Sequence, residues 1–462
     1  MQRILCLIAL FGPLACGSDP APPEPVEANA SGGEVPPHAA GDAAFPVGPT
    51  RPPLAPGVIA RLEALDTDVE VRVVFSPEMP PPWSTLAEEL RAIIAQYARH
   101  ANGHLRHGDV VIDPSRTEID GVPRVQQPVM EGTVYRTVEL FRGAVIRSAH
   151  GEHVLPYIDD AAEFERTLLR YIQLLSHPPH AIGVVASLYR EGDDPTLGLG
   201  EVLGHYRVHP ATLAEPVSTE LRALLLVEPQ GLDEVALRHL ARYLKQGGCV
   251  AVLGGGLAVT VGSGTPYASP GTPGLLPLLE PWGVTLGDRL VLDPRSVRVP
   301  MRSAVGFVPV PYPPGPSVPL AEDHPLRSVG ESVNLLFTGA LTLSGPLANG
   351  EVWLRSSEES TSLALDPDQP FLLAPREPSA WPTGGEPGAQ PLLVALEGTL
   401  PLPFGMGDTP AGTRVLVAGT GSFLRPDFRA PAALGDAQTD YTIAHLLIDW
   451  LVGDGPSIDD GA

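Results

Sequence analysis

The sequence predicts an α/β protein: an N-terminal α/β domain followed by a larger domain built on a parallel sheet with a loop-rich extension. Three observations predict it. The runs IGVVAS (182–187), ALLLVEP (223–229) and CVAVLG (249–254) are short and continuously apolar, as strands buried on both faces are. Leu232 to Lys245, between the last two, carries apolar residues at helical spacing, and Gly247 and Gly248 follow its end. Strands alternating with helices imply a parallel sheet covered on both faces.

The elements follow in order. VIARLEAL (58–65) reads as a short helix and VEVRVVFS (69–76), alternating and rich in valine, as a strand. After Pro80–Pro82, the residues Leu86, Leu90, Ile93, Ile94 and Tyr97 mark a helix over 83–99, with Ser84 as its cap. Strand signals lie at 109–112, 127–130, 134–148 and 152–155. A helix over 161–175 aligns Phe164, Leu168, Leu169, Ile172 and Leu175, and His177-Pro178-Pro179 stops it. The second domain runs from 179 to 455, with a short helix near 199–205 and the helix over 232–245, where Asp233 and Glu234 occupy the first turn. From 260 to 410 the pattern is expected to be irregular because prolines and glycines are dense. The exceptions are 289–293, 352–357 and 392–398. Order returns with a strand from 414 and a helix over 441–452, and 456–462 is a tail.

Composition narrows the function. The chain has 462 residues, 43% of them hydrophobic and 18% charged, which is enough apolar material for more than one core. Its formal net charge is −24. That argues against nucleic acid as a partner, because a binder must displace counterions from phosphates with a basic face. Three cysteines make no disulfide framework.

The first residues read as a targeting segment. Arg3 precedes an apolar run, Ile4 to Phe11, too short to span a bilayer and of the length of a signal core. Leu14 and Ala15 then precede Cys16, as before the lipidated cysteine of a bacterial lipoprotein. Pro13 stands where leucine is usual, and ordinary secretion with cleavage nearby is the alternative. Either reading places the rest of the chain outside the cytoplasm. Residues 17–57 hold eleven prolines and little bulk up to Pro56, and are expected to be a tether.

Several segments taken in order resemble GldG-like proteins, auxiliary components of gliding-motility-type ABC transport systems. They are VRVVFSPEMP with the helix ending in YARH and then VVIDP; VIRSAHGEHVLPYI; HAIGVVAS; ALLLVEPQGLDEVALRHLARYLKQGGCVAVL; LLEPWGVTLGDRLVLDP; HPLRSVGESVNLLFTGAL with WLRSSEES; and TRVLVAGTGSFL with IDWLVGD. The resemblance spans residues 68–454. It implies a flavodoxin-like domain similar to class I glutamine amidotransferases without their chemistry, and partners among the permease and ATPase subunits of a transporter. Such proteins commonly carry membrane helices at one or both ends. Here the lipoprotein-like leader stands at the N-terminal place, with Gly17 rather than aspartate after the cysteine, which suits an outer-membrane lipoprotein facing the periplasm.

The chemistry-bearing candidates are few. Gly254, Gly255 and Gly256 follow a strand as a phosphate loop would, but no GxxxxGK[ST] is present and the same glycines let a chain leave a sheet. Gly198, Gly200 and Gly204 lie too far from strand 182–187 for a dinucleotide turn. Cys249 begins a strand rather than sitting on a strand-to-helix turn, which predicts a small buried residue, and Ser422 in GTGSF lacks the second glycine of a nucleophile elbow. The histidines 100, 104 and 107 and the pairs 150/153, 177/180 and 205/209 read as solvated, and no metal or cofactor is expected. In an open parallel sheet ligands bind beyond the carboxyl ends of the strands. That edge offers Arg190, Asp193, Asp194, Glu228 and Gly254–Gly256 as a ligand or partner surface, or as plain surface loops. The expected function is that of a non-enzymatic exported accessory protein of a transport or gliding-type envelope system. The alternatives are a stand-alone ligand-binding lipoprotein and a cryptic hydrolase or amidotransferase relative.

Overall fold

The computed structural model describes residues 51–453 except 82, 114, 132–133, 188–193, 195, 263–264, 304–305, 322–323, 325, 327–330, 426–427 and 429–436. Cys16 and the leader, the tether up to residue 50, and Arg190 and Asp193 therefore lie outside the described residues.

The N-terminal domain is a four-stranded sheet with helices packed on it. Its elements are α1 (Pro56–Glu63), β1 (Val69–Phe75), α2 (Trp83–His100), β2 (Leu105–Asp109), β3 (Arg142–Ser148), β4 (Gly151–Leu155) and α3 (Ala161–Leu175). The order is β2-β1-β3-β4, with β1 parallel to β2 and antiparallel to β3. Alternation in β1 buries Val69, Val71 and Val73 against Leu90, Ile93 and Ile94 of α2 and Phe164, Leu168 and Ile172 of α3. The predicted strand 134–148 is two strands. Val134–Leu140 belongs to a hairpin with Val125–Glu131, and Phe141 separates it from β3. Two caps differ from the sequence reading. α2 starts at Trp83, so Ser84 is already helical, and Asp233 is the N-cap of its helix, accepting a hydrogen bond from Ala236 N at 2.9 Å. Residues 51–57, read as tether, are docked: Arg51 pairs with Glu165, and Gln96 Nε2 donates to the Pro52 carbonyl at 2.8 Å.

The second domain carries a seven-stranded sheet. In chain order its elements are β5 (Ala181–Ala186), β6 (Arg207–Pro210), β7 (Leu221–Val227), α4 (Glu234–Lys245), β8 (Cys249–Leu253), β9 (Gly350–Arg355), β10 (Pro391–Glu397), β11 (Arg414–Ala418) and α5 (Ala437–Val452). The sheet order is β6-β5-β7-β8-β11-β10-β9. The first five are parallel, and β10 and β9 extend the sheet antiparallel. Side chains alternate between faces, as the period of two demands. Leu224, Leu226, Val250, Val252, Val415 and Val417 pack with Leu237, Leu240 and Leu244 of α4. Ala223, Leu225, Cys249, Ala251 and Leu416 face Leu447, Ile448 and Leu451 of α5.

The region 260–410, expected as irregular, is strand-rich. Between β8 and β10, on either side of β9, the chain builds strands into three small sheets. One joins Leu257–Gly262, Thr265–Pro270 and Phe371–Leu372; a second joins Val284–Leu292, Gly339–Leu343 and Thr361–Ala364; a third joins Ser296–Ser303, Gly306–Pro319 and Ser332–Asn334. Their prolines conceal them. Gly306–Pro319 contains six, yet Pro309, Pro311 and Pro313 fall on alternate positions, so the missing N–H groups lie on one side of the strand. Pro309 stands opposite Pro300, which leaves the ladder bonds to the flanking pairs Val299–Val310 and Met301–Val308. No helix among the described residues is long and apolar enough to cross a membrane.

Candidate functional site

The strand order reverses between β5 and β7, which makes the loops at their carboxyl ends the place where an open sheet would bind a ligand. The loops after β7, β8 and β11 meet there. The β-rich insert between β8 and β10 packs over them.

Glu228 leaves β7 in the left-handed region at φ 46°, with 3% of its surface exposed. Its amide donates to the Leu253 carbonyl at 2.7 Å. Its carboxylate meets Arg425, 5% exposed, at 2.7 Å, and the same guanidinium nitrogen donates to the Val259 carbonyl of the insert at 2.6 Å. A buried charge is tolerated only when paired and hydrogen-bonded, and this pair meets that condition. The strained turn and the pair together fasten the β7 loop, the segment after β11 and the insert to one another.

The glycines serve close approach. A Cβ on Gly254, at φ 78°, would come within 2.9 Å of the Gly421 amide nitrogen; one on Gly256 within 2.2 Å of the Gly287 carbonyl oxygen; one on Gly419 within 1.9 Å of the Gly339 oxygen. The Gly254 amide is already spent on the Ala418 carbonyl at 2.9 Å. A phosphate cradle needs such amides aimed outward. Here backbone packs against backbone. Gln230 completes the closure, donating to the Gly255 carbonyl at 2.9 Å and accepting from Thr272 N at 2.6 Å. The hydroxyls of Thr420 and Ser422 converge on the Leu336 carbonyl at 2.8 and 2.7 Å, so Ser422 is a buried tie to the insert.

Asp194 stands apart from this seal. It is exposed and accepts hydrogen bonds from Thr196 N, Thr196 Oγ1 and Gly198 N at 2.8, 2.7 and 2.9 Å. The Thr196 bonds hold its carboxyl below the usual range. Its work is local: it closes the turn that carries Leu197 and Leu199 into the core. Cys249 is fully buried, and that burial pushes its thiol pKa up. Such a thiol is inert rather than nucleophilic.

A second polar cluster joins the two domains. Arg170 of α3 reaches Asp449 of α5 at 2.5 Å, and the Tyr206 hydroxyl donates to the same carboxylate. Next to it His153 stacks on Tyr171 with ring centroids 3.4 Å apart, and His205 meets both edge-on at 5.3 and 4.9 Å. Burial first, then the neighbouring His205, Arg170 and His445, lowers His153 to about 3. Burial and Arg170 lower His205 as well. Burial works against the charge of Arg170, but Asp449, Tyr171 and Tyr206 together outweigh it and hold the guanidinium above its ordinary value. Sequence pairing had set His153 beside His150 and His205 beside His209; the fold sets His153 beside His205 instead. Among the described residues no three His, Cys, Asp or Glu side chains converge as a metal ion would require.

Sequence reasoning therefore found Glu228 and the three glycines, which the fold brings together, and Asp194, which it keeps separate. It missed Arg425 and Thr420. Arg425 lies 197 positions from its partner, and only the strand order makes them neighbours.

A family described as ABC-type uncharacterized transport system, auxiliary component, matches residues 179–445, more than half of the chain. The chain belongs to this family. That family is described by its place in ABC-type transport systems. No curated protein matches the chain. Among solved structures, a ThuA-like protein from Bacteroides uniformis is 10% identical over 60% of this chain and 93% of its own, with a TM-score of 0.30. Alpha-L-fucosidase isoenzyme 2 from Paenibacillus thiaminolyticus is 12% identical over 65% and 38%, with a TM-score of 0.31. The GH42 beta-galactosidase Gan42B from G. stearothermophilus is 11% identical over 64% and 34%, with a TM-score of 0.28. This chain thus spans about a third of the length of that galactosidase.

Proposed function

We propose that this auxiliary protein is a non-catalytic, exported binding component of a GldG-like transport system, held at a periplasm-facing membrane through Cys16, with ATP hydrolysis left to a separate subunit. One observation carries the reading: the carboxyl edge of the parallel sheet, where this architecture would bind and transform a ligand, is occupied by the protein's own insert. Glu228 is locked by Arg425, Gly254–Gly256 are in backbone contact, and Cys249 and Ser422 are buried. The five parallel strands, numbered along the chain, run in the order 2-1-3-4-5, which supports reading the sheet as flavodoxin-like. The sealed edge leaves the outer surfaces to meet partners.

The test is chemical cross-linking in intact envelopes followed by purification of the tagged chain. Recovery of permease or ATPase subunits is expected, together with release of the protein from membranes by Cys16→Ala. Recovery of no transporter subunit from envelopes in which the chain is membrane-bound refutes the transport role. A hydrolytic activity abolished by Cys249→Ala or Ser422→Ala refutes the non-catalytic one.

A further inference from the structure

The chain crosses between the two domains once, through Ser176–His180, where Pro178 and Pro179 stiffen the crossing. Elsewhere the domains meet across a closed joint. Leu168, Ile172 and Leu175 of α3 and Leu199, Leu203 and Ile448 of the second domain belong to one continuous apolar cluster. Both sides also contribute titratable groups. The first domain supplies His153 from β4 and Arg170 and Tyr171 from α3; the second supplies His205 and Tyr206 ahead of β6 and His445 and Asp449 from α5. His153 lies flat on Tyr171, and His205 closes edge-on against both from the other domain. Arg170, His205 and His445 each disfavour a proton on His153, and Arg170 disfavours one on His205. The carboxylate of the cluster, Asp449, is engaged by Arg170 and the Tyr206 hydroxyl. Glu152, next to His153 on β4, pairs with Arg147 instead.

We propose that this joint is a proton-operated latch. With both imidazoles neutral the two domains are locked as one body; protonation of His153 and His205 in mild acid parts them about the Ser176–His180 crossing, while each keeps its own fold. A charge on His153 would stand 5.3 Å from the His205 ring centre and beside the Arg170 guanidinium, with Asp449 already committed. Burial without an opposite charge disfavours the charged form. Parting the domains returns both rings to water, where a histidine protonates at about 6.5. The open form therefore takes up protons that the closed form refuses, so closure is strongest above that value and weakens as pH falls. A histidine held at about 3 when closed moves the closed-to-open ratio about thirtyfold towards open between pH 7.5 and pH 5. His205, lowered by burial and Arg170, acts in the same direction. The domains can part without unfolding because each sheet carries helices of its own, α2 and α3 on the first, α4 and α5 on the second.

The experiment measures the separation of the domains directly. Spin labels are placed on Val111→Cys and Val235→Cys, exposed positions one in each domain, in the full chain carrying Cys6→Ser and Cys16→Ser. Cys249 is buried and stays unlabelled. One distance is expected at pH 7.5. At pH 5 a second, longer population should appear, with a long-to-short ratio about thirtyfold higher or more, and should vanish when pH is restored. His153→Phe with His205→Phe should hold the short distance at both values, and His153→Phe alone should remove about thirtyfold of the rise. Far-UV circular dichroism, unchanged throughout, separates opening of the joint from unfolding. The proposal is overturned if the distances at pH 5 match those at pH 7.5, or if the folded phenylalanine variants open as the parent does. It is equally overturned if the longer distances appear only with loss of the helical signal, which would make acid unfolding the event.

Discussion

At the carboxyl edge of the sheet Arg425 meets Glu228 within one domain; at α5 Arg170 meets Asp449 across two. Both pairs are short, at 2.7 and 2.5 Å, and both also involve a neutral partner, the Val259 carbonyl in one and the Tyr206 hydroxyl in the other. They differ in what surrounds them. The edge pair sits among glycines whose backbones touch. The interdomain pair sits beside His153 and His205, whose neutral forms the fold enforces. A static seal and a joint sensitive to protons thus use the same ion-pair chemistry, and the neighbours decide which is which.

The largest effect is expected at the seal. Arg425→Met leaves the Glu228 carboxylate buried without its partner, at a cost of about 3–5 kcal/mol, whereas replacing both members by apolar residues of similar size should recover most of that. Urea unfolding followed by fluorescence measures it. A single-variant loss below about 1 kcal/mol would mean that solvent reaches the pair and the edge is open. Arg170→Met, whose side chain is 19% exposed, should cost less, about 2–3 kcal/mol. It should also split the unfolding curve into two transitions, because it loosens the joint rather than either core.

The glycines of the seal come next. Gly254→Ala puts a methyl 2.9 Å from a backbone nitrogen at a positive φ, and about 2 kcal/mol should be lost. At Gly204 a Cβ would meet nothing within 4 Å, so Gly204→Ala is the matched control and should change stability by less than about 0.5 kcal/mol. Equal effects at the two sites would show that the contacts at the edge do not constrain the fold.

The joint should respond to acid with a defined sign. A histidine held near 3 in the folded state stays neutral there, while in the unfolded chain it protonates below its ordinary 6.5. The unfolded state then binds more protons between those values, so stability is complete above about pH 6.5 and falls as pH drops towards 3. From pH 6.5 to 5 His153 alone accounts for roughly 2 kcal/mol. His153→Phe keeps the stack on Tyr171 and should flatten that part of the curve. An unchanged slope in this variant would assign the acid sensitivity elsewhere.

These regions were unequally legible in sequence. Strands β5, β7 and β8 announced themselves because burial on both faces requires unbroken apolar runs. Helices α3 and α4 did so because one apolar stripe fixes their period. Apart from 289–293, the insert was hard to read because its prolines break the alternation that marks a strand, although Pro309, Pro311 and Pro313 share one side in register. Glu228 was legible as the end of a strand, but its role was not, since Arg425 arrives through a strand order that local pattern does not encode. The interdomain histidines show the same limit, because closeness in sequence paired them with the wrong partners.

The smallest expected change lies at the one described loop residue that the seal leaves outside. Asp194→Ala removes three hydrogen bonds from a solvent-exposed turn, and caps of this kind are worth about 1 kcal/mol. Its thermal midpoint should therefore fall by only a few degrees, and the Arg425 and Arg170 effects should be additive with it, because no partner is shared. If the loop after β5 is itself a partner-binding surface, Asp194→Ala should weaken capture of transporter subunits far more than it weakens the fold. Loss of capture and of stability in the same proportion would leave Asp194 with its turn alone, and would move the binding surface to another face.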